Sequence, residues 1–129
     1  MQGLSVRILV ADDFPQWRVR VRSILQARPE WEVIGEACNG LQAVQRTTQL
    51  HPDVVLLDVG MPIMDGIKAA AQIREWTPGS KIIFVTQDGD EDMRTAALAL
   101  GAEAYVMKEN AASELLPTIE TALRDRVPV

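Results

Sequence analysis

Four short apolar runs in this chain each end in a polar residue, and the four endings suit one chemistry. Val6-Arg7-Ile8-Leu9-Val10-Ala11 ends at Asp12-Asp13, and Val54-Val55-Leu56-Leu57 ends at Asp58. Ile82-Ile83-Phe84-Val85 ends at Thr86, and Ala104-Tyr105-Val106-Met107 ends at Lys108. Runs of four to six residues rich in Val, Ile and Leu read as buried strands. If the strands are parallel, their C-terminal ends share one edge of one sheet, where open α/β sheets bind ligands. Three carboxylates, a hydroxyl and an ammonium would meet there. Such a set can hold a divalent cation, offer a nucleophilic oxygen and neutralise a phosphoryl group.

The segments between these runs carry helical patterns. Pro15 suits a first helical turn, where its missing N–H is not needed. Val19, Val21, Ile24 and Leu25 form a stripe that ends before Pro29. Trp31 to Ala37 alternates Trp31, Val33, Gly35, Ala37 against Glu32, Ile34, Glu36, the pattern of a less buried outer strand. Asn39-Gly40 opens a second helix carried by Leu41, Val44 and Thr48, which His51-Pro52-Asp53 breaks. Asp65 is a suitable N-cap for a third helix through Trp76. Asp90-Glu91-Asp92 favours the positive end of a fourth, with Met93, Ala96, Ala97 and Leu100 as its apolar members and Gly101 just past its end. Leu115, Leu116, Ile119, Ala122 and Leu123 stripe a fifth. Strict strand–helix alternation predicts an α/β fold with a doubly wound five-stranded parallel sheet and helices on both faces.

At 129 residues the chain has the length of a single domain with one sizeable core. Its net charge of −5 makes it a poor nucleic-acid binder by itself, because phosphate contacts need clustered cations. Cys38 is the only cysteine, so no internal disulfide forms and a reducing compartment is the simpler setting. Met1 to Ser5 lacks the pattern of a signal peptide. No apolar run reaches the roughly 20 residues that span a bilayer, so the expected location is the cytoplasm. Residues 125–129 read as the possible start of a linker.

The site carries the functional argument. Asp58 follows a wholly apolar run, and a lone carboxylate deep in a crevice is costly. Asp12, Asp13 and Asp58 close together would repel one another, and a bound Mg²⁺, which prefers few carboxylates, waters and phosphate oxygens, answers both problems. The carbonyl of Gly60, two residues after Asp58, is placed to add a ligand. Lys108 needs anionic company to stay charged in a crevice, and Thr86 offers a hydroxyl to a phosphoryl oxygen. Phosphoryl transfer asks for positioning and charge neutralisation, and a carboxylate can be the acceptor.

These residues resemble the receiver domain of the bacterial two-component response regulators. The resemblance rests on Asp12-Asp13, the run Asp58-Val59-Gly60-Met61-Pro62-Ile63-Met64-Asp65-Gly66, Thr86, Gly101-Ala102, Tyr105 and Lys108. It covers essentially the whole chain. The wording Trp31 to Ala37 followed by Asn39-Gly40 is most similar to receivers of the LuxR/NarL-type helix-turn-helix regulators. The resemblance implies a flavodoxin-like (βα)5 sheet of order 2-1-3-4-5. It implies that Asp58 accepts a phosphoryl group from a sensor histidine kinase or phosphotransfer protein. Asp12, Asp13, Asp58 and the Gly60 carbonyl would hold Mg²⁺, Lys108 and Thr86 would contact phosphoryl oxygens, and Thr86 with Tyr105 would switch. The output would be transcription, with homodimerisation on phosphorylation and no contact with DNA or membrane by this domain. Catalysis would be limited to its own phosphorylation and dephosphorylation.

The chain departs from that pattern in places. Glu109 stands where receivers usually have proline, so a trans bond is expected, since a non-proline cis bond costs about 2.5–4 kcal/mol. Gln87 replaces a small residue and would narrow access to Asp58, and Gly60, Gln87 and Asp88 occupy rate-tuning positions. Rival readings have specific requirements. A haloacid-dehalogenase-type phosphatase needs a second Asp at position 60, which is Gly. A flavodoxin-like cofactor binder needs a phosphate loop where this chain has Asp-Asp-Phe-Pro. A pseudo-receiver, a protein-interaction module without phosphorylation, would not need all five site residues. His51 reads as a surface helix end, Cys38 as a small buried or half-buried side chain, and Trp17, Trp31 and Trp76 as packing residues.

Overall fold

The computed structural model describes residues 5–124. The expectations for residues 1–4 and for a linker at 125–129 fall outside the described residues. Five strands and five helices alternate: β1 Val6–Ala11, α1 Pro15–Leu25, β2 Trp31–Ala37, α2 Gly40–Leu50, β3 Val54–Leu57, α3 Gly66–Trp76, β4 Lys81–Thr86, α4 Glu91–Ala99, β5 Ala104–Met107 and α5 Ala111–Arg124. All strand pairs are parallel, in the order β2-β1-β3-β4-β5. The first strand is therefore central to the switch in winding, and the crevice at that point opens between the ends of β1 and β3.

The sheet divides its side chains between two cores, as period-2 alternation requires. Leu9, Ala11, Val55, Leu57, Ile82 and Phe84 pack with Ala43 and Val44 of α2, Ala69, Ala70 and Ile73 of α3, and Ala97 of α4. Ile8, Val10, Val54, Leu56, Ile83 and Val85 face Val21 and Leu25 of α1 and Leu115, Ile119 and Ala122 of α5. β3 is buried at every position. A strand covered on both faces is why its sequence is an unbroken apolar run.

The sequence signals at the helix starts hold. Pro15 opens α1, the Asn39 side chain accepts from the Gln42 N–H, and the Asp65 side chain accepts from the Lys68 N–H. Gly101 follows α4 with φ +97. His51 caps α2 from the surface in a left-handed conformation. Among the described residues no peptide bond is cis, so Lys108-Glu109 is trans, and Lys108–Asn110 form a 3-10 turn leading into α5.

Several side chains lie elsewhere than their patterns suggest. β2 does not alternate throughout. Its register against β1 shifts between Ile8 and Leu9, so Trp31 and Val33 pack on the α1–α5 side while Ala37 joins the opposite core. Val19 and Trp76 are exposed, because α1 turns Val19 away from the sheet and Trp76 ends α3 beyond the core. Leu41 and Thr48 are exposed on α2 while Thr47 is buried, and Ala96 is exposed on α4. Cys38 is exposed, lying in the loop after β2 with its N–H and Sγ both on Gln42 Oε1.

Candidate functional site: an acidic crevice with one lysine

The ends of β1, β3, β4 and β5 bring the four polar endings together. Asp12 and Asp58 are buried, as is Thr86. Carboxylate oxygens of Asp12, Asp13 and Asp58 all lie within 4.8 Å of one another. Their nearest cation is Lys108, whose Nζ stands 2.7 Å from Asp12 Oδ2 and 3.4 Å from Asp58 Oδ2. Two of the three carboxylates thus share one buried ammonium, and the cluster keeps an excess of negative charge.

Each acid is also held by the backbone, Asp13 excepted. Asp12 Oδ1 accepts the Phe14 N–H at 2.9 Å, and Asp58 Oδ1 accepts its neighbour Val59 N–H at 2.8 Å. Asp13 Oδ1 is buried without a hydrogen-bond donor. Burial pushes the Asp12 carboxyl above its ordinary value. The hydrogen bonds from Lys108 and the Phe14 N–H oppose that shift, and the Asp58 charge adds to it. A half-buried acid whose buried Oδ1 lacks a donor, beside two buried acids in an oxygen-only donor set, is the chemistry of a hard divalent cation such as Mg²⁺. The residues present fit that ion.

Thr86 Oγ1 accepts the Asp88 N–H at 3.2 Å, which leaves its own O–H free to donate. Tyr105 is buried, its ring 6.0 Å from that of Phe84, and its O–H donates to the Asp88 carbonyl at 2.6 Å. Desolvation, reinforced by the charges of Asp88 and Asp58, pushes the phenol up to about 12. Gly60 is exposed, with open space where a Cβ would stand. Gly66 is the opposite case. A Cβ there would overlap the Asp58 carbonyl, and its N–H donates to the Val59 carbonyl at 2.7 Å. Only glycine lets α3 start so close to the strand that carries Asp58. Gln87 is exposed and lines an open cavity of about 370 Å³ with Phe14, Gln16, Trp17, Arg20 and Lys108. Asp58 is not part of that lining.

Sequence reasoning gave no role in the site to three of its neighbours, and read Trp17 as a packing residue. Arg18 donates to the Asp12 carbonyl at 2.6 Å and pairs with Glu36 at 2.7 Å. The rings of Phe14 and Trp17 lie 5.6 and 5.1 Å from Lys108 Nζ. The available signal was spacing: Phe14 directly follows the acidic pair and Trp17 lies one helical turn further on.

The model of the response regulator receiver domain matches residues 8–120. The chain belongs to the response regulator receiver domain family. Among curated receiver proteins it is 34% identical over 119 residues to the chemotaxis protein CheY of Listeria monocytogenes, covering 92% of this chain and 99% of that protein. It is 40% identical over 105 residues to protein-glutamate methylesterase/protein-glutamine glutaminase 1 of Methanosarcina acetivorans, covering 80% of this chain but 30% of that protein. The chain thus spans under a third of that relative's length. Among solved structures, the receiver domain of the response regulator NarL from Mycobacterium tuberculosis superposes with a TM-score of 0.88 at 29% identity, covering 95% of this chain and 98% of that one. Relatives include LuxR/NarL-type regulators, as the wording of β2 implied. Among the described residues of this receiver domain no helix is long and apolar enough to cross a membrane.

Proposed function

We propose that this chain is a phosphoacceptor receiver, with residues 1–129 as one domain and Asp58 taking a phosphoryl group from a phosphohistidine on a sensor kinase or phosphotransfer protein. The observation that carries the reading is the joint placement of three carboxylates within 4.8 Å and a lysine bridging two of them. Asp58 Oδ1 is engaged by the Val59 N–H, so Oδ2, beside Lys108, is the oxygen that attacks phosphorus as the imidazole leaves. Lys108 neutralises an equatorial phosphoryl oxygen, and Thr86 donates its free O–H to another. Asp12, Asp13, Asp58 and the Gly60 carbonyl would hold Mg²⁺, which when bound offsets the charge that builds on the phosphoryl oxygens.

The hydrogen-bonded link from Thr86 through Asp88 to Tyr105 supports a switch role for Thr86 and Tyr105. If Thr86 turns toward a phosphoryl group, the Asp88 N–H loses its acceptor and the loop holding the phenol is free to shift. Gly60, Gln87 and Asp88 tune the rates. The domain's catalysis extends to its own phosphorylation and dephosphorylation, and its output is transcription through an attached or partner module, with homodimerisation on phosphorylation. It works in the cytoplasm without touching DNA or membrane. Gly60 argues against a haloacid-dehalogenase-type phosphatase, since it supplies no second carboxylate.

Incubation with Mg²⁺ and acetyl phosphate or phosphoramidate, read by intact mass, tests this. A phosphate adduct that needs Mg²⁺ and is absent from Asp58→Asn is expected. No adduct with these donors or with a phosphohistidine donor overturns the reading in favour of a protein-interaction module.

A further inference from the structure

We propose that Trp17, with Phe14, is a positioning residue that holds the ammonium of Lys108 at the mouth of the acidic crevice. The inference rests on the phosphoacceptor reading of the same site. Lys108 is the first residue of a 3-10 turn with no side-chain cap. Nothing in its backbone fixes where four methylene groups carry the charge. Its side chain is nonetheless only 7% exposed. The charge has acids on one side, with Asp12 Oδ2 at 2.7 Å and Asp58 Oδ2 at 3.4 Å. It also has two aromatic faces, Trp17 at 5.1 Å and Phe14 at 5.6 Å. Indole is the strongest π partner for a cation, and the contact gains as water is excluded.

The two rings differ in firmness. Phe14 is 55% exposed in the loop after Asp13. Trp17 is half-buried in α1 and packs against the core that Val10, Val21 and Val85 share. Trp17 is therefore the fixed face and Phe14 the cover. A lysine without these faces keeps its acids but exchanges ring contact for water, and its long side chain regains rotamer freedom. The ammonium then spends less time where a phosphoryl oxygen on Asp58 would meet it. Neither ring carries an oxygen that could ligate a hard metal ion. The effect should fall on the transfer rate and leave Mg²⁺ affinity alone.

Trp17→Leu and Trp17→Phe separate positioning from packing. The first removes the π face and keeps an apolar side chain. The second keeps a ring. With phosphoramidate at saturating Mg²⁺, Trp17→Leu is expected to phosphorylate about fivefold to tenfold more slowly, with Trp17→Phe restoring most of the rate. Mg²⁺ affinity should stay within about twofold in both variants, as expected where no carboxylate is disturbed. The Lys108 ε-CH2 protons in the wild type should carry an upfield ring-current shift that disappears in Trp17→Leu. A wild-type rate in Trp17→Leu, or equal slowing in Trp17→Phe and Trp17→Leu, overturns the proposal. If the wild type takes no phosphoryl group, the phosphoacceptor reading fails, and the ring-current shift alone decides whether Trp17 holds the lysine.

Discussion

The backbone of Asp88 links the two residues read as the switch. Its carbonyl accepts the Tyr105 phenol at 2.6 Å, and its N–H donates to Thr86 Oγ1 at 3.2 Å. Tyr105 therefore lies turned inward over the loop after β4, where burial and nearby acids hold its phenol at about 12.

That shift has a sign. The folded value lies above the ordinary value of 10.0, so the folded state keeps its proton where the unfolded chain loses it. The stabilisation is complete below pH about 10 and is lost as pH rises through about 12. Tyr105 is the only tyrosine, so near-ultraviolet tyrosinate absorbance follows it alone. The native midpoint should lie well above that of the chain in denaturant, and Tyr105→Phe should cost about 1 kcal/mol while removing the alkaline loss of stability. Coincident midpoints would show the phenol to be free of the Asp88 carbonyl.

The acids of the crevice predict opposite effects with and without metal. Asp13 adds a third charge to a cluster that one lysine serves, and its buried Oδ1 lacks a donor. Asp13→Asn should raise the metal-free stability by about 1 kcal/mol through relief of repulsion. It should also abolish the Mg²⁺-induced stabilisation, which in the wild type is about 2.7 kcal/mol at hundredfold the dissociation constant and is seen as a rise in Tm. Thermal unfolding with and without Mg²⁺ checks both. A metal-free variant less stable than wild type would show that Asp13 has a favourable partner.

Most of the fold was legible because apolar runs bounded by helix caps are strong local signals. β3, the buried strand, was the plainest. The bulge in β2 was not legible: one extra residue at Ile34 leaves an alternating sequence looking continuous, and only pairing with β1 exposes it. Trp76 misled because size suggests burial, while its position at the last turn of α3 sets it outside the core. At the site, Asp12, Asp13, Asp58, Thr86 and Lys108 could be read because strand ends converge in a parallel sheet. The rings around Lys108 were harder to read, since only the folded chain brings Phe14 and Trp17 against the lysine that follows β5.

Gly66 shows how closely the site depends on its flanking loop. A Cβ at position 66 would overlap the carbonyl of Asp58 itself. Gly66→Ala must push α3 and β3 apart, at a cost of about 1–3 kcal/mol, and must displace the acceptor. Phosphorylation by a small donor should slow at least tenfold even where circular dichroism shows a folded chain, because a misplacement of about 1 Å can cost a hundredfold. A folded Gly66→Ala with the wild-type rate would mean that the loop absorbs the methyl without moving Asp58.

Ile63 lies two residues further from the acceptor than Met61 and has the one strained backbone in that loop. Its φ is +71, and the Met64 N–H donates to the Pro62 carbonyl at 2.7 Å across it, which makes a γ-turn of the rare positive-φ kind. A β-branched side chain is poorly suited to that region. Ile63 is also 79% exposed, so it recovers almost nothing by burial. Glycine adopts the angle freely, and although it costs entropy in the unfolded chain, relief of a strain worth about 1–3 kcal/mol outweighs that loss. Ile63→Gly should therefore stabilise the protein by about 1 kcal/mol, seen as a higher denaturant midpoint with an unchanged slope. Ile63→Val, which keeps the branched Cβ, should gain nothing. A destabilised glycine variant would mean that the isoleucine is held by contacts that outweigh its strain.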